Sequence, residues 1–200
     1  MIRNDNISPE VIRASGFQHT VDLAQPYAEI LALDDTTALS YKHQVAEELG
    51  KLGTTTDKSR GWWVHSTLLL DSFTTQTIGP IHQEYWLRPN NPEDADEKES
   101  GKCSEASYFC RQRLGDMMSR VISVCDREAD ILSYIQDKQQ HNERFVVRAK
   151  HSRALIETDS KLFTYLESQA ELGQYTIDIA QKGTKNSKGS LLTACQEKLS

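Results

Sequence analysis

The sequence predicts an α/β domain with a mixed sheet and flanking helices, on three observations. Two apolar runs, Glu29 to Asp35 and Val121 to Cys125, lack the polar alternation of a half-solvated strand, so both read as strands buried on two faces. Between them, Trp62 to Ser72 and Thr75 to Leu87 are rich in Trp, Val, Thr, Ile and Tyr with a polar break, the pattern of a hairpin. All five prolines fall within the first 92 residues, which leaves the second half free for longer regular elements. A strand, a hairpin, then helix and strand in alternation build one sheet with antiparallel and parallel pairs.

Ser8-Pro9-Glu10 reads as a helix N-cap with proline at the first helical position, and the helix runs to about Gly16. The central strand Glu29 to Asp35 and the hairpin follow. Pro89 to Glu105 is charged and turn-rich, a loop. From Ala106 to Arg120, Phe109, Cys110, Leu114, Met117 and Met118 recur at helical spacing. The second buried strand, Val121 to Cys125, ends in Asp126, and a helix from about Glu128 to Gln139 turns Ile131, Leu132 and Ile135 inward. Arg144 to Lys150 alternates: Phe145, Val147 and Ala149 face one way, Arg144, Val146, Arg148 and Lys150 the other, which makes that face basic. A short helix near Leu162 to Leu172, a strand at Tyr175 to Ile179 and a Lys/Gly/Ser/Asn stretch at Gln181 to Gly189 complete the pattern.

At 200 residues and 22.7 kDa, 38% hydrophobic and 26% charged, with a mean hydropathy of -0.59, the chain can bury a core and is neither disordered nor fibrous. No apolar run nears the roughly 18 residues of a membrane helix, and the N-terminus lacks a secretory pattern, so the expectation is a cytoplasmic protein with no membrane contact. Four cysteines without C-x-x-C pairing read as reduced thiols. A net charge of -6 argues against a general nucleic-acid binder, so any DNA site must be local.

Asp35 and Asp126 lie 91 residues apart, yet each closes an apolar strand that belongs mid-sheet. Neighbouring strands would bring the two carboxylates together as oxygen ligands for Mg²⁺ or Mn²⁺ in phosphoryl transfer. The plainer alternative is that Asp35 opens a turn and Asp126 caps the next helix. Asp34 and Asp35 are adjacent and point to opposite faces, so only one can enter such a site; Asp35 is the choice. Arg148 and Lys150 suit phosphate oxygens, against the alternative of a solubilising strand edge. Trp62, Trp63 and Trp86 read as sheet packing ahead of base stacking, and the six histidines show no metal spacing.

Longer motifs carry a resemblance. Leu33-Asp34-Asp35-Thr36-Thr37 with Leu39-Ser40-Tyr41, Gly61-Trp62-Trp63-Val64-His65-Ser66, Asp94 to Lys102, Cys125-Asp126-Arg127-Glu128-Ala129-Asp130 and Asn142 to Arg148 resemble, in order, the Tn-five-type transposases of the insertion-sequence-four group. The resemblance spans roughly Ile2 to Gly183 and divides the chain into a partial catalytic domain, 1–183, and a divergent tail, 184–200. It implies a ribonuclease-H-like core, incomplete at the C-terminus, with a divalent metal held by two aspartates and a glutamate. Asp35 resembles the first of these and Asp126 the second, with Arg148 and Lys150 near bound DNA. The implied chemistry is phosphodiester cleavage at transposon ends and strand transfer into DNA. In the family the third carboxylate sits in a Tyr-x2-Arg-x3-Glu-x6-Lys helix. Here Tyr108 and Arg111 are followed by Gly115 at the acid's place, and Tyr85 and Arg88 by Pro92. The resemblance therefore implies a chain truncated at both ends and inactive alone. Two other readings stay open: a non-catalytic inhibitor that associates with full-length transposase, and an unrelated phosphohydrolase using Asp34 or Glu128 as a stand-in ligand.

Overall fold

The computed structural model describes residues 8–42, 46, 48–53, 59–88, 101–156 and 158–170, and the backbone of 173–177 and 190–194. The chain divides into two compact units, Met1–Lys150 and His151–Ser200. The first holds helix α1 (Pro9–Ala24), strands β1 (Ile30–Tyr41), β2 (Gly50–Lys51), β3 (Arg60–Asp71) and β4 (Thr77–Trp86), helix α2 (Lys102–Leu114), strand β5 (Val121–Cys125), helix α3 (Leu132–Gln140) and strand β6 (Arg144–Val147). The second holds α4 (Leu162–Ser168), where the Phe163 amide donates to Ser152 Oγ at 3.0 Å, and the antiparallel pair β7 (Gly173–Ile177) and β8 (Ser190–Ala194).

The sheet of the first unit runs β4-β3-β1-β5-β6, with β2 pairing β3 beyond the end of β4. β1, β3 and β4 are antiparallel neighbours, and β5 and β6 join parallel to β1. This is the mixed α/β sheet, flanked by helices, of a ribonuclease-H-like fold. β1 sits mid-sheet, as its two-sided apolar run requires. It extends to Tyr41, past the expected end at Asp35, because β3 pairs it from Ile30↔Asp71 to Tyr41↔Arg60.

Other boundaries move for local reasons. Ser8 caps α1 by accepting from the Val11 amide at 3.3 Å. The helix continues beyond Gly16 because Phe17, Thr20, Val21 and Ala24 form a buried stripe. α2 begins at Lys102, inside the expected loop, and gives way to a 3-10 segment at Gly115–Arg120, where Gly115 takes φ +52°. On α3 the fully buried residues are Tyr134 and Lys138, four residues apart; of the expected inward face Ile131 packs against the core beside Tyr134 and Ile135 is half-buried, while Leu132 is exposed. Much of the expected loop, Pro89 to Ser100, and the stretch Gln181 to Gly189 lie outside the described residues.

One core unites α1, β1, β3, β4, α2 and β5, through Ala24, Ile30, Leu69, Ile81, Leu114 and Val121. His82 is buried within it, stacked on Phe109 at 5.1 Å and with Nδ1 3.3 Å from Arg113 Nη1. Burial, and then the Arg113 charge, lower its pKa from 6.5 to about 4. The unfolded chain thus takes up a proton near pH 6.5 that the folded chain refuses until about pH 4. Stability is full above that window and falls as pH drops through it, by about 3 kcal/mol at most. Denaturant titrations of the wild type and His82→Gln at pH 7 and pH 4.5 are expected to show a smaller acid loss in the variant. Equal losses would contradict the assignment. Asp34 works in the opposite sense, since its raised pKa favours the folded state at low pH, so the difference between the two proteins is the diagnostic quantity.

Candidate functional site

The parallel register of β1 and β5 runs from Ile30↔Val121 to Asp34↔Cys125. Asp35 and Asp126 are the residues that directly follow this last pair on the two chains. Asp126 keeps an extended backbone, φ -80° and ψ -165°, so side-chain alternation sets it on the side of Val124, away from Cys125. Leu33 pairs with Val124, and Asp35 follows Leu33 on that same side. Asp35 and Asp126 are both exposed.

The row continues across the sheet. β6 pairs Val147 with Cys125, and the Arg148 amide donates to the Cys125 carbonyl at 3.2 Å, so Arg148 follows at the end of the third strand. On the other side Asp35 faces Ser66 of β3, which faces Gln83 of β4, and Gln83 Nε2 donates to Ser66 Oγ at 3.2 Å. Gln83, Ser66 and Asp35 thus form an outward polar row, with Leu31, Leu33 and Leu68 beneath it, and Asp126 and Arg148 follow the last paired residues of β5 and β6. Lys150 lies two residues past Arg148, its amide donating to Asp130 Oδ2 at 2.6 Å and its side chain exposed. β6 ends at Val147, short of the expected Lys150, because β5 has no residue left to pair beyond Cys125.

The capping alternative for Asp126 also holds. Its Oδ1 accepts from the Glu128 amide at 2.8 Å, opening the 3-10 turn Arg127–Ala129. Asp35 Oδ2 accepts from Thr37 Oγ1 at 3.4 Å. Each contact engages one oxygen and leaves the carboxylate's other oxygen for a further partner. Among the described residues no group of three His, Cys, Asp or Glu side chains could hold a metal ion. Two carboxylate oxygens still fit Mg²⁺, which keeps several waters and binds through one or two carboxylates together with substrate phosphates.

Asp34 turns the other way, into the protein, with its side chain 5% exposed. Its Oδ1 accepts from Thr67 on β3, its Oδ2 from Cys125 Sγ at 3.3 Å, and His65 Nε2 lies 4.0 Å off. Burial pushes its carboxyl pKa up, opposed by the hydrogen bond from Thr67. Cys125 Sγ also meets the Tyr134 hydroxyl at 3.2 Å, and His65 Nδ1 meets Thr36 Oγ1 at 3.0 Å. Cys103, Cys110 and Cys125 are free, buried thiols, and burial raises the first two to about 12. Cys195 lies outside the described residues.

A second buried polar cluster went unread in the sequence. Lys138 Nζ donates to Ser123 Oγ at 2.9 Å and to Glu143 Oε2 at 2.7 Å, while Arg111 Nη1 reaches Glu143 Oε1 at 2.8 Å and Asp137 Oδ2 at 2.9 Å. The available signal was the four-residue step from Tyr134 to Lys138 on one helix face. The tryptophans pack: Trp63 stacks on Trp86 at 6.4 Å, Arg88 covers Trp63 at 4.0 Å and Lys102 covers Trp86 at 4.7 Å. Trp62 lines a groove of about 930 Å³ with Ile12, Phe17, Leu39, Pro80 and Tyr85.

No protein-family model matches the chain. Among solved structures, the Mos1 mariner paired end complex with Mn is similar over 84% of this chain and 52% of its own, at 12% identity and a TM-score of 0.35. The piggyBac transposase synaptic complex with hairpin DNA is similar over 96% and 42%, at 13% and 0.39. Ciona intestinalis Endonuclease V, in complex with a 24mer DNA containing an inosine followed by a ribo-adenosine, is similar over 86% and 72%, at 9% and 0.35. The chain spans about half the length of the first of these. Among the described residues no helix is long and apolar enough to cross a membrane.

Proposed function

We propose that the chain carries two of the three metal-binding carboxylates of a Tn-five-type DNA transposase core, Asp35 and Asp126. The reading rests on one observation, the register of Asp34 with Cys125, the residues just before the two carboxylates. The ordered motifs shared with that family supply the reaction class. Mg²⁺ or Mn²⁺, when bound, supplies activation of a hydroxyl nucleophile and stabilisation of the leaving oxygen. Asp35 and Asp126 would hold that ion through their carboxylates. Arg148 and Lys150 hold the DNA backbone, Arg148 by a fork of donors and Lys150 as a point charge. Phosphate contacts of this kind set register on the duplex and carry no base information. Among the described residues no third carboxylate joins these two, so the metal charge is under-compensated and the chain alone does not cut.

Fluorescence anisotropy on a duplex with transposon ends, titrated with salt, tests the DNA half. Arg148→Ala and Lys150→Ala are each expected to weaken binding and to reduce the slope of log affinity against log salt by about 0.9. Unchanged affinity and slope would remove both residues from the interface. In the same samples Mg²⁺ is expected to leave the duplex intact, and efficient cleavage would overturn the inactivity.

A further inference from the structure

We propose that Asp34 is a positioning residue for the carboxylate pair: clasped between Thr67 of β3 and Cys125 of β5, it fixes the seam that sets Asp35 beside Asp126. The inference deepens the reading of Asp35 and Asp126 as metal ligands and rests on it. β5 has five residues, and Cys125 is the last of them paired to β1. Beyond that pair the chain leaves the sheet for the 3-10 turn, so Asp126 sits where ladder hydrogen bonds no longer hold it. A side-chain tie at the final pair offsets that loss. Asp34 reaches Thr67 with one oxygen and Cys125 with the other, spanning the three strands β3, β1 and β5 directly beneath the outward row. Cys125 passes the tie to Tyr134 on α3, and Thr36 with His65 repeats a β1-to-β3 link two residues on. Outer partners that orient metal ligands are worth about tenfold to a hundredfold in metal affinity.

The test compares Asp34→Leu, Asp34→Asn and Thr67→Val in the full chain by hydrogen exchange and by Mn²⁺ titration. Leucine keeps the volume and removes both acceptors, asparagine keeps one, and valine removes the Thr67 donor alone. In Asp34→Leu the Arg148 and Glu128 amides, bonded at 3.2 and 2.8 Å to the end of β5 and to Asp126, are expected to exchange at least about tenfold faster. The Asp71 amide, bonded to Gln76 at 2.9 Å in the hairpin, keeps its rate. Thr67→Val shows a smaller increase in the same place, and Asp34→Asn restores most of the protection. Mn²⁺ affinity falls about tenfold in Asp34→Leu and recovers in Asp34→Asn. Exchange that is unchanged, or that rises equally at Asp71, would overturn the positioning role. A wild type that binds no Mn²⁺ would remove the metal reading instead, while the exchange contrast still decides whether Asp34 fixes the seam.

Discussion

Replacing Lys138 by alanine is expected to destabilise the chain by about 3–5 kcal/mol, the usual cost of removing one partner from a buried ion pair. Lys138 and Glu143 have side chains only 1% and 5% exposed, 2.7 Å apart, and Lys138 also donates to Ser123. Without the ammonium, Glu143 keeps Arg111 at 2.8 Å and the Ser107 hydroxyl at 3.4 Å, but its Oε2 loses its charged partner. Lys138→Met, which retains most of the stem, should lose nearly as much, because the loss lies in the charge more than in the methylenes. Adding Glu143→Gln to Lys138→Met should recover part of it, since the glutamine carbonyl still accepts from Arg111. Urea midpoints for the four corners of that cycle measure the coupling. Additive losses would show that the pair contributes nothing beyond its separate members.

Gly61→Ala is the second large effect, about 3 kcal/mol by overpacking. A Cβ at Gly61 would stand 1.8 Å from the Leu39 carbonyl oxygen, inside the β1/β3 ladder, and 2.9 Å from Leu52 Cδ1. Backbone held by paired hydrogen bonds on a central strand cannot retreat as a flexible side chain would. Gly16→Ala is the control: nothing lies within 4 Å of that Cβ on α1, and the change should stabilise by about 0.5–1 kcal/mol. Thermal midpoints of both variants check the pair, and a Gly61→Ala protein as stable as the wild type would contradict the close approach.

How far the sequence carries is clearest on the two sheet faces. The pairing of β1 with β5 follows from two apolar runs each closed by an acid, and strand alternation dictates that Asp34 and Asp35 face opposite ways, though not which of them faces outward. The exposed Arg144, Val146 and Arg148 on β6 follow from the same rule. What alternation cannot give is the interior chemistry. Lys138 sits in the polar run Asp137-Lys138-Gln139-Gln140, and only its pairing with Glu143 and Ser123 permits burial. The role of Asp34 is equally hidden, because its partners Thr67 and Cys125 lie 33 and 91 residues away along the chain. Leu132 shows the converse: an apolar residue expected inward stands 60% exposed, because Tyr134 and Lys138 set the helix face.

The central claim is that Asp35 and Asp126 share one divalent cation, and Mn²⁺ binding followed by electron paramagnetic resonance tests it most directly. The account predicts one bound Mn²⁺ in the wild type and an affinity at least about tenfold weaker in both Asp35→Asn and Asp126→Asn, no less than outer-partner losses cost. The double variant should bind scarcely more weakly than the worse single variant, because both remove ligands of one ion. Wild-type affinity in either single variant would contradict a shared site.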